Sequence, residues 1–500
     1  MKNFYLLISI LIFSQLHYSF AQDDYLKWLQ KEQEKYQKYI DEQDKKFLDF
    51  LRKEWKEVGL EKGLPSFNTP KPVEPPKFIE VEKKSEEIKV LPPSEPKKKT
   101  KLNGEKVPPE KVEKIPSDEK EQKPRAVESE KLSNALTLEF DFYGASLKCF
   151  YNDKIKIKLK GKLSKETIAN FWEDLSSSNY KDILQQAISL KSQMHLNDWG
   201  YLILINNLAE KIYSDLPNEK ILFIWFLLVK SGYLARVGYY EDRVTLLIAT
   251  DNVLYETPYL FLKNHTSRFY RITLDEKSKI EIGKIYTYDG EYPTSTKVFD
   301  FYLRDYPLIE DKYESKTISF IYNKKEYVIP FEYNISAVKF FERYPKTEYP
   351  VYFSAGMSEK AKTSLLNNLK PYIKDKSEYE AVNFLLHFVQ KATDYKTDFE
   401  QFGREKPLFP EESLFYKFSD CEDRSILFSF LVKKLTGLEV IGLKFPNHVA
   451  VAVKFNQNVE GDYINYKGSK YLICDPTYFG ADAGICMPAF KNVEAKIIEW

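Results

Sequence analysis

A thiol, an imidazole and a carboxylate stand out in this chain for the chemistry they can do together: Cys421, His448 and Asp475, 27 residues apart and then 27 again. A free thiol is only a small fraction thiolate at neutral pH. To act as a nucleophile it needs a base within reach, and the base needs a third group to hold its tautomer. The reaction open to such a set is attack on an acyl carbonyl through a thioester.

The surrounding sequence predicts elements that can bring the three together. Ser419-Asp420-Cys421-Glu422-Asp423-Arg424-Ser425 leads into an apolar helix, Ile426 to Leu435, which Gly437 ends, so the cysteine falls at a helix start. Leu438 to Lys444 reads as a strand, and Pro446-Asn447-His448 opens the alternating strand Val449 to Val453. After a hairpin around Lys467-Gly468, Tyr471 to Cys474 forms a third strand that ends in Asp475-Pro476. A helix dipole supplies roughly 0.3–1 kcal/mol, whereas one pKa unit costs about 1.4 kcal/mol. Most of the activation therefore falls to the histidine. Glu422 and Asp423 read as first-turn acids, with Ser419 and Glu422 spaced as a capping box, and Arg424 as a solvated surface residue.

Asp420-Cys421-Glu422-Asp423-Arg424, Asn447-His448-Val449-Ala450 and Cys474-Asp475-Pro476-Thr477-Tyr478 together resemble the transglutaminase-like superfamily. The resemblance covers the last 140 or so residues. It implies a papain-like arrangement of a helix-borne cysteine against a sheet that carries the histidine and the acid. Cys421 would be the nucleophile, His448 the general base and acid, and Asp475 the orienting residue. Ser419 stands where many members have glycine, and no tryptophan follows His448.

Other readings stay open beside this one. Cysteine is often simply a packed core residue. A Cys/His/Asp metal site would lack the close ligand pair such sites use, so no metal or organic cofactor is expected. His387 reads as a packed helix histidine, and Gln401 and Tyr416 as candidate oxyanion donors beside the Cys421 amide. Cys474 and Cys486 are close enough in sequence for a bridge.

The chain as a whole has a net charge of +1, which gives no field for nucleic acid. Lys2, the apolar run Phe4 to Phe13 and Ser19-Phe20-Ala21 predict an export signal at residues 1–21, and Gln22 in place of cysteine argues against a lipid anchor. A periplasmic or extracellular protein without a transmembrane segment is the expectation. Residues 22–62 read as a charged amphipathic helix, either docked on the body or used for self-association or a partner through residues 23–58. Residues 63–134, with 12 of the chain's 25 prolines between Pro65 and Pro124, read as a disordered linker.

Order returns at residue 135. Shifting the chain by 205 residues overlays Ile221-Leu222-Phe223 on Ile426-Leu427-Phe428, Gly232 on Gly437 and Val244 on Val449, with Leu216, Arg243 and Tyr270 opposite the three chemical residues. Residues 135–275 thus read as a degenerate related half without the chemistry, 276–357 as a β-rich bridge, and 358–500 as the catalytic domain. Asp394 to Phe418 has no clear period and no counterpart in the first half, and is expected to wall the cleft. The fold class is α+β. The expected function is that of an exported thiol peptidase or amidase acting on a protein, peptide or peptidoglycan-peptide substrate, with transfer to an amine also open. The alternative is an envelope binding or scaffolding protein with a vestigial triad.

Overall fold

The computed structural model describes residues 28, 31, 32, 35, 38–53, 55–66, 77–79, 85–91, 135–263, 265–274 and 283–500. The expected signal at residues 1–21 lies outside them. The fold is α+β, as its mixture of apolar helices and alternating strands requires. Among the described residues no helix is long and apolar enough to cross a membrane.

The first continuous element among the described residues is a helix, α1 (38–53), whose apolar seam is used on the chain's own body. Phe47, Leu48 and Leu51 enter the main core, and Phe47 meets Trp172 edge-on at 4.8 Å. Asp44, which breaks the apolar seam, forms a buried ion pair with Lys230. Two strands follow, β1 (Trp55–Gly59) and β2 (Val90–Leu91). β2 corrects the expectation of a wholly disordered linker over 63–134: Ile88 beside it is 1% exposed in a core cluster. Most of that linker lies outside the described residues.

The first half begins with a hairpin, β3 (Leu136–Phe142) and β4 (Ala145–Tyr151). Helices α2 (Lys165–Ser176), α3 (Tyr180–Gln193), α4 (Asp198–Ile212) and α5 (Pro217–Lys230) come next. Strands β5 (Ala235–Tyr240), β6 (Arg243–Thr250), β7 (Tyr259–Leu260), β8 (Arg268–Ile272) and β9 (Lys284–Tyr288) then build a sheet ordered β1-β9-β5-β6-β8-β7. Apolar residues at every position from Leu222 to Val229 explain why that stretch of α5 is buried on all sides.

The second half repeats this plan. A hairpin, β10 (Tyr313–Tyr322) and β11 (Lys325–Asn334), is followed by α6 (Ile335–Glu342), α7 (Tyr349–Ser354), α8 (Glu359–Leu369) and α9 (Glu378–Ala392). Next come β12 (Asp394–Tyr395), α10 (Asp398–Phe402), α11 (Pro410–Phe415), β13 (Phe418–Ser419) and the cysteine-bearing helix α12 (Cys421–Thr436). Strands β14 (Glu439–Phe445), β15 (His448–Lys454), β16 (Tyr463–Tyr466), β17 (Ser469–Cys474) and β18 (Ala495–Ile498) complete a sheet ordered β2-β18-β14-β15-β17-β16. Strand for strand, this is the order of the first sheet.

Two fixed offsets relate the halves. The turn Tyr143-Gly144 lies 180 residues before Asn323-Lys324, and all four residues have positive φ, at 50°, 90°, 49° and 64°. The same offset carries α4 onto α9, Asp198 to Glu378 and Ile212 to Ala392. Across α5, β5 and β6 the offset is 205: Tyr240 pairs with Arg243 across one hairpin as Phe445 pairs with His448 across the other. Gly232 and Gly437 end the corresponding helices, with φ of 86° and 73°. The 25-residue difference is extra chain between α9 and α12. The segment expected as a bridge is divided between the halves: β9 completes the first sheet, β10 and β11 open the second half, and residues 335–354 are largely helical.

Candidate functional site

Cys421 is the first residue of α12, and Asp420 caps the helix with its amide donating to Asp423 Oδ2 at 3.2 Å. The cap thus falls one residue later than the spacing of Ser419 and Glu422 suggests. Ser419 is engaged elsewhere: its Oγ accepts from Arg424 Nε at 3.2 Å. Arg424 is not a solvated residue. It is 2% exposed, and donates from Nη1 to Gln390 O at 3.4 Å and from Nη2 to Thr393 O at 2.9 Å. Burial lowers its pKa from the ordinary arginine value, and the guanidinium locks the helix start to the end of α9.

His448 is the first residue of β15, set by its pairing with Phe445. Its Nε2 lies 2.8 Å from Asp475 Oδ2, and its ring stacks on Phe490 with centroids 4.8 Å apart and planes 5° from parallel. Asp475 follows β17, and its second oxygen, Oδ1, accepts from the Thr477 amide at 2.8 Å and the Tyr478 amide at 3.2 Å. Both carboxylate oxygens are thereby assigned. With Nε2 committed to Asp475, Nδ1 is the ring nitrogen left for a thiol.

Ser425, one turn after Cys421, donates from Oγ to Val449 O at 3.0 Å. This bond sets the thiol's end of α12 against the strand start that carries His448. The thiol itself donates to Glu422 Oε2 at 3.1 Å. All three predicted residues are buried: Cys421 is 0%, His448 4% and Asp475 3% exposed.

The extra chain between α9 and α12 explains the closure. It had been expected to wall a cleft, but it lies against the helix start: the Leu408 amide donates to Asp423 Oδ1 at 2.8 Å and the Lys406 amide to Asp398 Oδ2 at 2.6 Å. Buried acids tie this segment to its surroundings. Glu411 accepts from Tyr306 at 2.6 Å and from the Asn334 and Ser358 amides at 2.7 and 2.8 Å, and Glu412 pairs with Lys406 Nζ at 2.5 Å. Burial holds Glu412 above the usual carboxylate range despite Lys406. Of the two oxyanion candidates, Tyr416 directs its hydroxyl to Glu342 Oε1 at 3.2 Å, and Gln401 sits half-buried in α10.

Carboxylates are concentrated at this end of α12. Ligand atoms of Asp398, Glu405 and Glu422, of Asp398, Asp420 and Asp423, and of Asp420, Cys421 and Glu422 each fall within 4.8 Å of one another. These are the described residues that could hold a cation. Buried carboxylates need protons or counter-charge, and Lys444 contributes near Glu422, although burial lowers the lysine's pKa to about 8.

Sequence reasoning missed several residues that support the site. Gln390 donates to Tyr478 O and Ala481 O, each at 3.1 Å, and accepts from the Gly480 amide at 3.0 Å, which fixes the turn after Asp475. Its place directly after the apolar run Phe384-Leu385-Leu386-His387-Phe388-Val389 was the available signal. Phe490 left none, because a stacking partner 42 residues away has no local pattern. His387 packs as expected, stacked on Tyr322, and also bonds Asp482 at 2.8 Å. The bridge that the spacing of Cys474 and Cys486 left open is not formed: Cys149, Cys421, Cys474 and Cys486 are all free, and burial pushes the Cys474 and Cys486 thiols up.

In the first half the ladder corrects one correspondence. Leu246, opposite Val451, pairs with Ile272 as Val451 pairs with Cys474, so Thr273 and not Tyr270 stands where Asp475 does. Among known proteins, no family model matches the chain and no curated protein does either.

Proposed function

We propose that this is a transglutaminase-like, papain-like thiol enzyme in a closed resting form, built as two copies of one α+β unit of which the second keeps the chemistry. Its class would be acyl transfer, and its particular activity that of an exported cysteine peptidase or amidase. The observation that carries the reading is the oriented pair His448–Asp475, at 2.8 Å, beside a helix that begins with Cys421. His448 would take the thiol proton, sulfur would bond to the acyl carbon as the C–N bond breaks, and the imidazolium would protonate the leaving amine. Water would then release the acid from the thioester. Hydrolysis is favoured over transfer because water needs no second site.

One observation favours a second reading, a binding or scaffolding protein with a vestigial triad: Cys421 is fully buried. Alkylation of Cys421 by iodoacetamide across pH separates the two, using wild type, His448→Ala and a variant with a loosened covering segment, Lys406→Met. Fast reaction well below neutral pH in Lys406→Met, lost on adding His448→Ala, supports the enzyme. Reaction only near pH 8.5 regardless of His448 would refute it.

A further inference from the structure

The first half has an open cleft at the place where the second half has its closed triad. It holds about 470 Å³ and is lined by Asn218, Lys220, Arg243, Thr245, Arg271 and Thr273, among others. Arg243 occupies the hairpin position of His448, and Thr273 follows β8 as Asp475 follows β17. The cleft is open for a simple reason: between α4 and α5 the chain has no room for the covering segment that lies between α9 and α12.

The helix start is held against the strand start here too. Asn218 donates from Nδ2 to Asp242 O at 2.7 Å and accepts from the Val244 amide at 2.8 Å, so it grips the chain on both sides of Arg243. Three cationic residues line the cleft, Arg243, Arg271 and Lys220, with Asp242 the one acid among its lining residues. Lys220 is partly committed to Glu210 at 2.5 Å. Arg243 makes only a loose contact with Asp242 at 4.0 Å, between side chains 55% and 90% exposed, an interaction of little strength. Guanidinium groups recognise planar or tetrahedral oxyanions through paired N–H donors, and the first turn of α5 adds the positive end of its dipole.

We infer that this cleft is a binding site for an oxyanion, carboxylate or phosphate, formed where the second half carries its triad. Arg243 and Arg271 are its principal donors, and the group would belong to a ligand distinct from the acyl group handled at Cys421. Isothermal titration of the full chain with N-acetyl-glutamate and with inorganic phosphate tests it, and the tighter of the two identifies the source. One saturable site is expected, weakened about tenfold or more in the Arg243→Gln/Arg271→Gln double variant and severalfold in the exposed Arg243→Gln alone. Arg304→Gln, at a separate surface, should bind as wild type. No binding of either probe up to about 10 mM, or equal binding by wild type and Arg243→Gln, would overturn the inference. Cys421 alkylation on the same samples reports the second half separately, so failure here is distinct from failure of the enzyme.

Discussion

Ser425 donates its hydroxyl to the carbonyl of Val449 at 3.0 Å, joining the turn of helix that bears Cys421 to the strand residue next to His448. Both residues are buried, so the bond fixes the relative position of thiol and imidazole without solvent competition. Ser425→Ala should cost about 1–3 kcal/mol by stranding a buried carbonyl, read by chemical denaturation. The same change should slow any His448-dependent reaction of Cys421.

Asp475→Asn tests the orienting role through its geometry. The Thr477 and Tyr478 amides both require an acceptor at Oδ1, so the asparagine amide NH₂ would replace Oδ2 and donate to His448 Nε2. The imidazole proton would then sit on Nδ1, where no base remains for the thiol. We expect thiol reactivity or turnover to fall about 10²-fold or more with little change in stability. Equal rates would remove Asp475 from the mechanism.

Glu412 links the covering segment to pH. Burial raises its pKa, Lys406 opposes that rise, and Glu342 adds to it. The folded protein therefore holds this proton more tightly than the unfolded chain, so the contribution to stability is full at low pH and is lost as pH climbs through the raised value. Lys406→Met removes the counter-charge, at a cost of roughly 3–5 kcal/mol when Glu412 ionises. Hydrogen exchange of residues 404–412 should accelerate with rising pH, more steeply in the variant than in wild type.

Lys230 gives the opposite sign. Burial lowers its pKa to about 8 despite the attraction of Asp44. Between about pH 8 and the unfolded value near 10.5 the unfolded chain binds more protons, so this group raises stability as pH increases and removes it as pH falls through about 8. The slope of denaturation midpoint against pH in that window should flatten in Lys230→Met.

The local layout of the site was legible in the sequence because each element carries its own signal. Gly437 marked the helix end, and the alternation after His448 marked a strand whose faces pack differently. What could not be read depends on distant contacts. Arg424 is solvated by every local rule, yet Gln390, Thr393 and Ser419 enclose it. The two halves share an offset of 180 before the extra segment and 205 after it, so an ungapped comparison sees only the later part. A longer excursion before β8 likewise moved the match for Asp475 from Tyr270 to Thr273.

Both sheets recruit a strand from the chain that precedes the two halves. β1 continues the first beyond β9, and β2 continues the second beyond β18. In each case the borrowed strand occupies the corresponding outer position and satisfies hydrogen-bonding groups that would otherwise be a template for another chain. The chain ahead of the two halves therefore closes an edge of each sheet: a version of the protein trimmed to residue 135 would lose Phe47, Leu51 and Ile88 from the cores and uncover β9 and β18 as edges, and should self-associate more readily than the full chain.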